Sequence, residues 1–233
     1  MIQLPQYLLW IGATLLAAYV AALGWRLGVA RGFPFLTAYL VLRLGAELSR
    51  LLIFERWGFT AELWMNFCYG SDLLLAVALY FVILELQRRL LPAQLGRLLH
   101  RCSLAIVGLW TVVSYAEIWK SDRQRQRLML CSHELSSNLW FVSLGLILVL
   151  WVIIYLRDLP RGVAAGMVQV WGIYFLLMGS TYVFLQFFHN LPPSAPRLHL
   201  EIPVMAEVWL PLGLGFAILN KSQNDPSAAN VPG

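Results

Sequence analysis

A helix needs about 20 mainly apolar residues to cross the hydrocarbon core of a bilayer, and this chain offers seven such stretches in succession. They run over about 7–25, 34–54, 62–86, 98–118, 136–156, 164–187 and 203–220. Stretches of that length cannot all be hidden inside a water-soluble core, so their repetition constrains the fold more than any other feature. Composition agrees: 60% of the 233 residues are hydrophobic and 12% charged, against about 45–50% and about 25% in soluble domains. The expectation is an all-α, polytopic membrane protein, a bundle of seven transmembrane helices.

The breaks between the stretches carry turn and charge signals: RLGVARGFP, FERWGFTAE, QRRLLPAQLGR, KSDRQRQR, RDLPRG and NLPPSAPR. The seventh stretch is the shortest and contains Pro203 and Pro211. Residues 1–221 read as a single seven-helix domain, and 222–233 as a polar tail, SQNDPSAANVPG, too poor in apolar residues to fold alone. Arg26, the first basic residue, follows the first apolar run instead of preceding it. That order suits a retained first helix with its N-terminus outside better than a signal peptide.

Basic loops favour the cytoplasm. With the N-terminus outside, the cytoplasmic segments hold Arg26, Arg31, Arg88, Arg89, Arg97, Arg101, Arg157, Arg161 and Lys221, and the outer segments Arg56, Lys120, Arg123, Arg125, Arg127 and Arg197. Four of the outer six crowd into one loop, 119–134. The predicted topology is therefore N-terminus outside and C-terminus cytoplasmic, with the fourth-to-fifth connection its awkward piece. Trp57, Trp64, Trp119 and Trp209 fall near predicted span ends, where aromatic belts form.

The second span carries Arg43, Glu47 and Arg50, all on one helical face. A charge at the bilayer centre costs about 3 kcal/mol on insertion scales, so it should face protein or water. Arg43 lies near the middle of the span, with Glu47 as a partner in the same helix. Asp72 in the third span and Glu207 in the seventh are the partners expected from other helices. Arg50, nearer the end, is expected to reach the interface. Pro211 cannot donate to the carbonyl of residue 207, which leaves an acceptor beside the Glu207 carboxylate. Arg43, Glu47, Asp72 and Glu207 form the candidate network. It reads either as a structural lock of helix register or as a site that binds or moves a ligand or ion.

Cys68 and Cys131 both fall on the expected outer side and form a candidate disulfide, whereas Cys102 lies near the cytoplasmic face, where thiols stay reduced. His133, His189 and His199, with Glu134 and Glu201, are scattered through outer loops without metal-ligand spacing, and read as solvated residues. No metal or other cofactor is expected. A retinal pigment is excluded, because the seventh span has no lysine before Lys221 at its end. Helices 1–3 and 5–7 run in the same senses about a single fourth helix, and AELW (61–64) recurs as AEVW (206–209), a faint sign of parallel repeats. No nucleophile elbow, phosphate loop or zinc-protease pair occurs. The connection RRLLPAQLGRLLHR (88–101) is basic and amphipathic, suited to anionic lipid or a soluble partner.

The stretch RGFPFLTAYLVLRL (31–44) has a basic residue, then aromatic-Pro-Phe, then tyrosine. It resembles the second-helix opening of short uncharacterised bacterial seven-helix proteins, over the first three spans. That resemblance implies a multi-pass protein of the inner (plasma) membrane and supplies no activity. The functional expectation is a non-enzymatic membrane component, sensor-like or accessory, acting through membrane or cytoplasmic protein partners or self-association, with no role for nucleic acid. The alternative is a small transporter or channel using the charged network.

Overall fold

The computed structural model describes residues 4–58, 62–120, 127–156, 162–187, 206 and 208–219, all helical apart from short turns. The helices are α1 (Leu4–Arg26), α2 (Val29–Gly32), α3 (Pro34–Trp57), α4 (Glu62–Leu90), α5 (Ala93–Lys120), α6 (Arg127–Leu156), α7 (Val163–Phe187) and α8 (Val208–Leu219). Among the described residues, α4, α5 and Met129–Leu156 of α6 are long and apolar enough to span a membrane.

Sequence punctuation sets the boundaries. Gly28 takes φ +69° between α1 and α2, a left-handed conformation open to glycine at little cost. Pro34 occupies the first turn of α3, where its missing N–H would have no partner anyway. The Phe33 carbonyl accepts the Thr37 N–H at 3.1 Å and the Thr37 hydroxyl at 3.1 Å. Gly58 ends α3 at φ 77°, ψ 175°, with its N–H on the Phe54 carbonyl, in a region of backbone space that is essentially glycine-only. Pro92 disfavours helix at the residue before it and so parts α4 from α5, while its own carbonyl takes the Gly96 N–H at 3.0 Å.

Two helices begin well ahead of their expected starts. α5 begins at Ala93 instead of about 98, and α6 at Arg127 instead of about 136. At 1.5 Å per residue, α6's 30 residues span about 45 Å, the thickness of a bilayer with its head groups, about 40–45 Å. Counting apolar residues finds only the hydrocarbon part. Helical hydrogen bonds persist in the head-group layer, so RLMLCSHEL is helix, and His133 and Glu134 sit on α6 and not in a loop. Of the loop expected over 119–134, only 121–126 falls outside the described residues.

The helices belong to two compact units. One, Phe33–Leu150, contains α3, α4, α5 and most of α6. Here α3 and α4 pack along each other most extensively, burying Leu36, Tyr39, Leu40 and Ala46 of one and Leu79, Val82, Ile83 and Leu86 of the other. The side of α5 turned inward carries His100, Ser103, Val107, Thr111 and Ser114 at helical spacing, while Leu104, Ile106, Leu109, Trp110, Val112 and Val113 are exposed. Polar groups inside and apolar groups outside are the arrangement a helix needs when lipid is its solvent.

The other unit, Met1–Gly32 with Trp151–Gly233, is held by small residues. A methyl at Gly213 would stand 2.7 Å from Val170 Cγ1, one at Gly166 3.4 Å from Ala217 Cβ, and one at Gly215 3.2 Å from Val20 Cγ2. α8 therefore lies against both α7 and α1, close enough for dispersion to act backbone to backbone. Trp209 Nε1 donates to the Val170 carbonyl at 3.4 Å along the same seam. The order of these contacts fixes direction: along α8 the neighbours descend α7, from Val170 to Gly166, and ascend α1, from Val20 to Gly24. α8 is antiparallel to α7 and parallel to α1.

Candidate functional site

The α3–α4 hairpin gathers a charged cluster around Arg50. Its Nη2 donates to Asp72 Oδ1 at 2.5 Å, to Ser71 Oγ at 2.6 Å and to the Cys68 carbonyl at 3.3 Å. Nε donates to Ser71 Oγ at 3.1 Å, and Nη1 to Glu47 Oε1 at 3.3 Å. Ser71 donates its one proton to the Cys68 carbonyl at 3.0 Å, so its lone pairs are what it offers the guanidinium. The planar fork suits this task, since it can serve a carboxylate, a hydroxyl and a carbonyl together. Arg50 is 15% exposed and Glu47 17%, but Asp72 remains 52% exposed.

Of the residues read from the sequence, Glu47 and Asp72 thus meet, through Arg50. Arg50 turns across to α4 instead of reaching for the interface. Arg43 is 8% exposed and has partners of its own. The reason lies in hairpin register. Four residues join α3 to α4, and the pairs Arg50–Ser71 and Leu36–Glu85 mark an antiparallel alignment in which Arg43 stands opposite Ala78. Six residues of helix, about 9 Å, then separate that level from Asp72. The short break FERWGFTAE between the two apolar runs was the available signal, because a short connection mirrors residue numbers about its centre. Glu207 lies outside the described residues, as do His189, His199 and Glu201. Cys68, Cys102 and Cys131 are free thiols.

Two further polar clusters escaped sequence reading. Glu85, buried on α4, accepts the Leu36 N–H at 3.3 Å, one of the four N–H groups that the start of a helix leaves without intrahelical partners. Arg89 lies 4.0 Å from Glu85 Oε1 and holds its guanidinium 4.1 Å from the Phe33 ring centroid. Glu85 acts here as a cap supplied by a neighbouring helix, which no local pattern announces.

The second cluster joins α4 to α5. Tyr80 Oη is 2.6 Å from Ser103 Oγ and 3.1 Å from His100 Nδ1, and Ser103 donates to the His100 carbonyl at 2.8 Å. A carbonyl only accepts, so the Ser103 proton is committed to it. Tyr80 then donates to Ser103 and accepts from His100, which places a proton on Nδ1. α5 and α6 are tied by Asn138 Nδ2 on Thr111 Oγ1 at 3.4 Å and by Tyr115 Oη on the Cys131 carbonyl at 3.1 Å. His133 stands edge-on to Tyr69, with ring centroids 5.6 Å apart.

No protein-family model matches the chain, and neither does any curated protein or solved structure.

Proposed function

We propose that the protein is a non-enzymatic, multi-pass component of the inner (plasma) membrane that acts through protein partners in or beside the bilayer. Its spans would be α1, α3, α4, α5, α6, α7 and α8, with the N-terminus outside and the C-terminus cytoplasmic. Helices of 23 to 30 residues in α1 and α3 to α7 support that count, as do the opposed directions of α7 and α8 and the shared direction of α1 and α8.

The carrying observation is the Arg50 cluster. Its guanidinium is spent on one hydroxyl, one carbonyl and two carboxylates, a closed arrangement that ties α3 to α4. Asp72, ten residues into the 29-residue α4, lies about 15 Å along that helix and about 6 Å to the outer side of its midpoint, still within a core about 30 Å thick centred on that midpoint. A carboxylate half exposed at that depth calls for protein or water beside it, and a partner helix would supply the protein.

Native mass spectrometry of the protein released gently from its own membranes tests this: a stoichiometric protein partner is expected, and a chain that emerges alone overturns it. The second reading, a transporter, draws on the same half-exposed carboxylate as part of a wetted path. Ion flux in liposomes that falls with Asp72→Asn and Glu47→Gln would select it.

A further inference from the structure

Between Glu85 and Glu117 the chain has no acidic residue, yet it carries Arg88, Arg89, Arg97 and Arg101, all exposed at the end of α4 and the start of α5. Arg89 is already engaged with Glu85 and Phe33. Arg97 and Arg101 stand one turn apart on α5, and Leu104, Ala105, Gly108 and Val112 continue the same face. All six are exposed, and nothing lies within 4 Å of where a Gly108 side chain would begin. The face thus presents two guanidinium groups at one end and a shallow apolar track, low at Ala105 and Gly108, below them.

We propose that this face of α5 binds an anionic phospholipid, its phosphate on Arg97 and Arg101 and an acyl chain along the Leu104–Val112 track. Charge complementarity selects the head group, since the guanidinium fork matches phosphate oxygens and no carboxylate in the segment competes. The aligned apolar track distinguishes a lipid from a soluble anion, which would have no use for it. Depth is consistent: Ala93–Arg101 precedes the uninterrupted apolar run from Cys102 to Ala116 except for its own serines and threonine, so the arginines sit where head groups do. The inference is independent of the partner reading and needs only that α5 lies in a bilayer.

The test uses the full-length protein in vesicles of equal parts phosphatidylcholine and phosphatidylglycerol, released in mild detergent, with retained lipid counted by native mass spectrometry. Phosphatidylglycerol is expected to be kept in preference to phosphatidylcholine. Each basic side chain near an anionic surface contributes about 1 kcal/mol, so Arg97→Gln and Arg101→Gln should each weaken retention about fivefold, and the pair about thirtyfold. The Arg97→Lys/Arg101→Lys variant, which keeps the charge, should fall between. Arg56→Gln/Lys120→Gln, removing the same charge elsewhere, should leave the preference unchanged; an equal loss there would reduce the effect to net charge and overturn the site. Retention unaffected by the Arg97/Arg101 change in a variant that unfolds normally would also overturn it. So would displacement of the lipid by millimolar inorganic phosphate, which would mark a free-anion site instead.

Discussion

Arg50→Met is the most informative single change, because methionine keeps the length and apolar stem of arginine while removing every donor. From α3, Arg50 reaches three acceptors on α4: Ser71, Asp72 and the Cys68 carbonyl. Interhelical hydrogen bonds between membrane helices average about 0.6 kcal/mol each and reach about 1.7, which gives about 2 kcal/mol for the three. The Glu47 contact, between residues three apart on one helix, adds about 0.2–0.5 kcal/mol. Removing one partner of a fully buried pair costs about 3–5 kcal/mol, but Asp72 is half exposed and open to water in the isolated chain, so the loss stays below that range. The expected loss is about 2–3 kcal/mol in reversible unfolding of the full chain in bicelles. Combining Arg50→Met with Ser71→Ala should give a coupling energy of about 1 kcal/mol, since Ser71 receives two of the donors. Arg50→Met within about 0.5 kcal/mol of wild type, or additive single changes, would refute the assignment of Arg50 as the α3–α4 tie.

Gly213→Ala should destabilise by about 1–3 kcal/mol, since its methyl would meet Val170 at 2.7 and 2.9 Å, whereas Gly108→Ala, with nothing within 4 Å, should stay within about 0.5 kcal/mol of wild type or better; the two are compared by the same unfolding measurement. Tyr80→Phe removes the link between Ser103 and His100 and should cost about 1–2 kcal/mol. Its proton-resonance signature is loss of a slowly exchanging His100 Nδ1 proton, and an unchanged signal would contradict the bond directions derived above. Gly58→Ala must hold φ near 77° and ψ near 175° and should cost about 1–3 kcal/mol; a neutral result would mean that the α3–α4 turn relaxes to another conformation.

Much of the architecture is a direct consequence of composition and punctuation. Long apolar runs have few ways to satisfy backbone polar groups away from water, and the helix is the one that needs no partner strand. Gly28 and Gly58 act through backbone freedom and Pro34 and Pro92 through backbone restriction, so the limits they set after α1, at the ends of α3 and between α4 and α5 follow from local chemistry. Where no such residue stands, as ahead of α6, the helix ran on into polar sequence, because an apolar count measures hydrocarbon thickness and not helix length. That α3 would carry a charged face toward protein was legible too, from Arg43, Glu47 and Arg50 at helical spacing. Which arginine takes Asp72 was not legible from depth alone. Depth is a one-dimensional coordinate, and it grouped Asp72 with Arg43 and sent Arg50 to the interface. The packed α3–α4 hairpin chose Arg50, since its register brings residue 50 level with Ser71 and Asp72 and holds residue 43 about two turns away. The Glu85 cap on Leu36 and the Tyr80–His100–Ser103 chain were decided in the same way, by the alignment of one helix against the next.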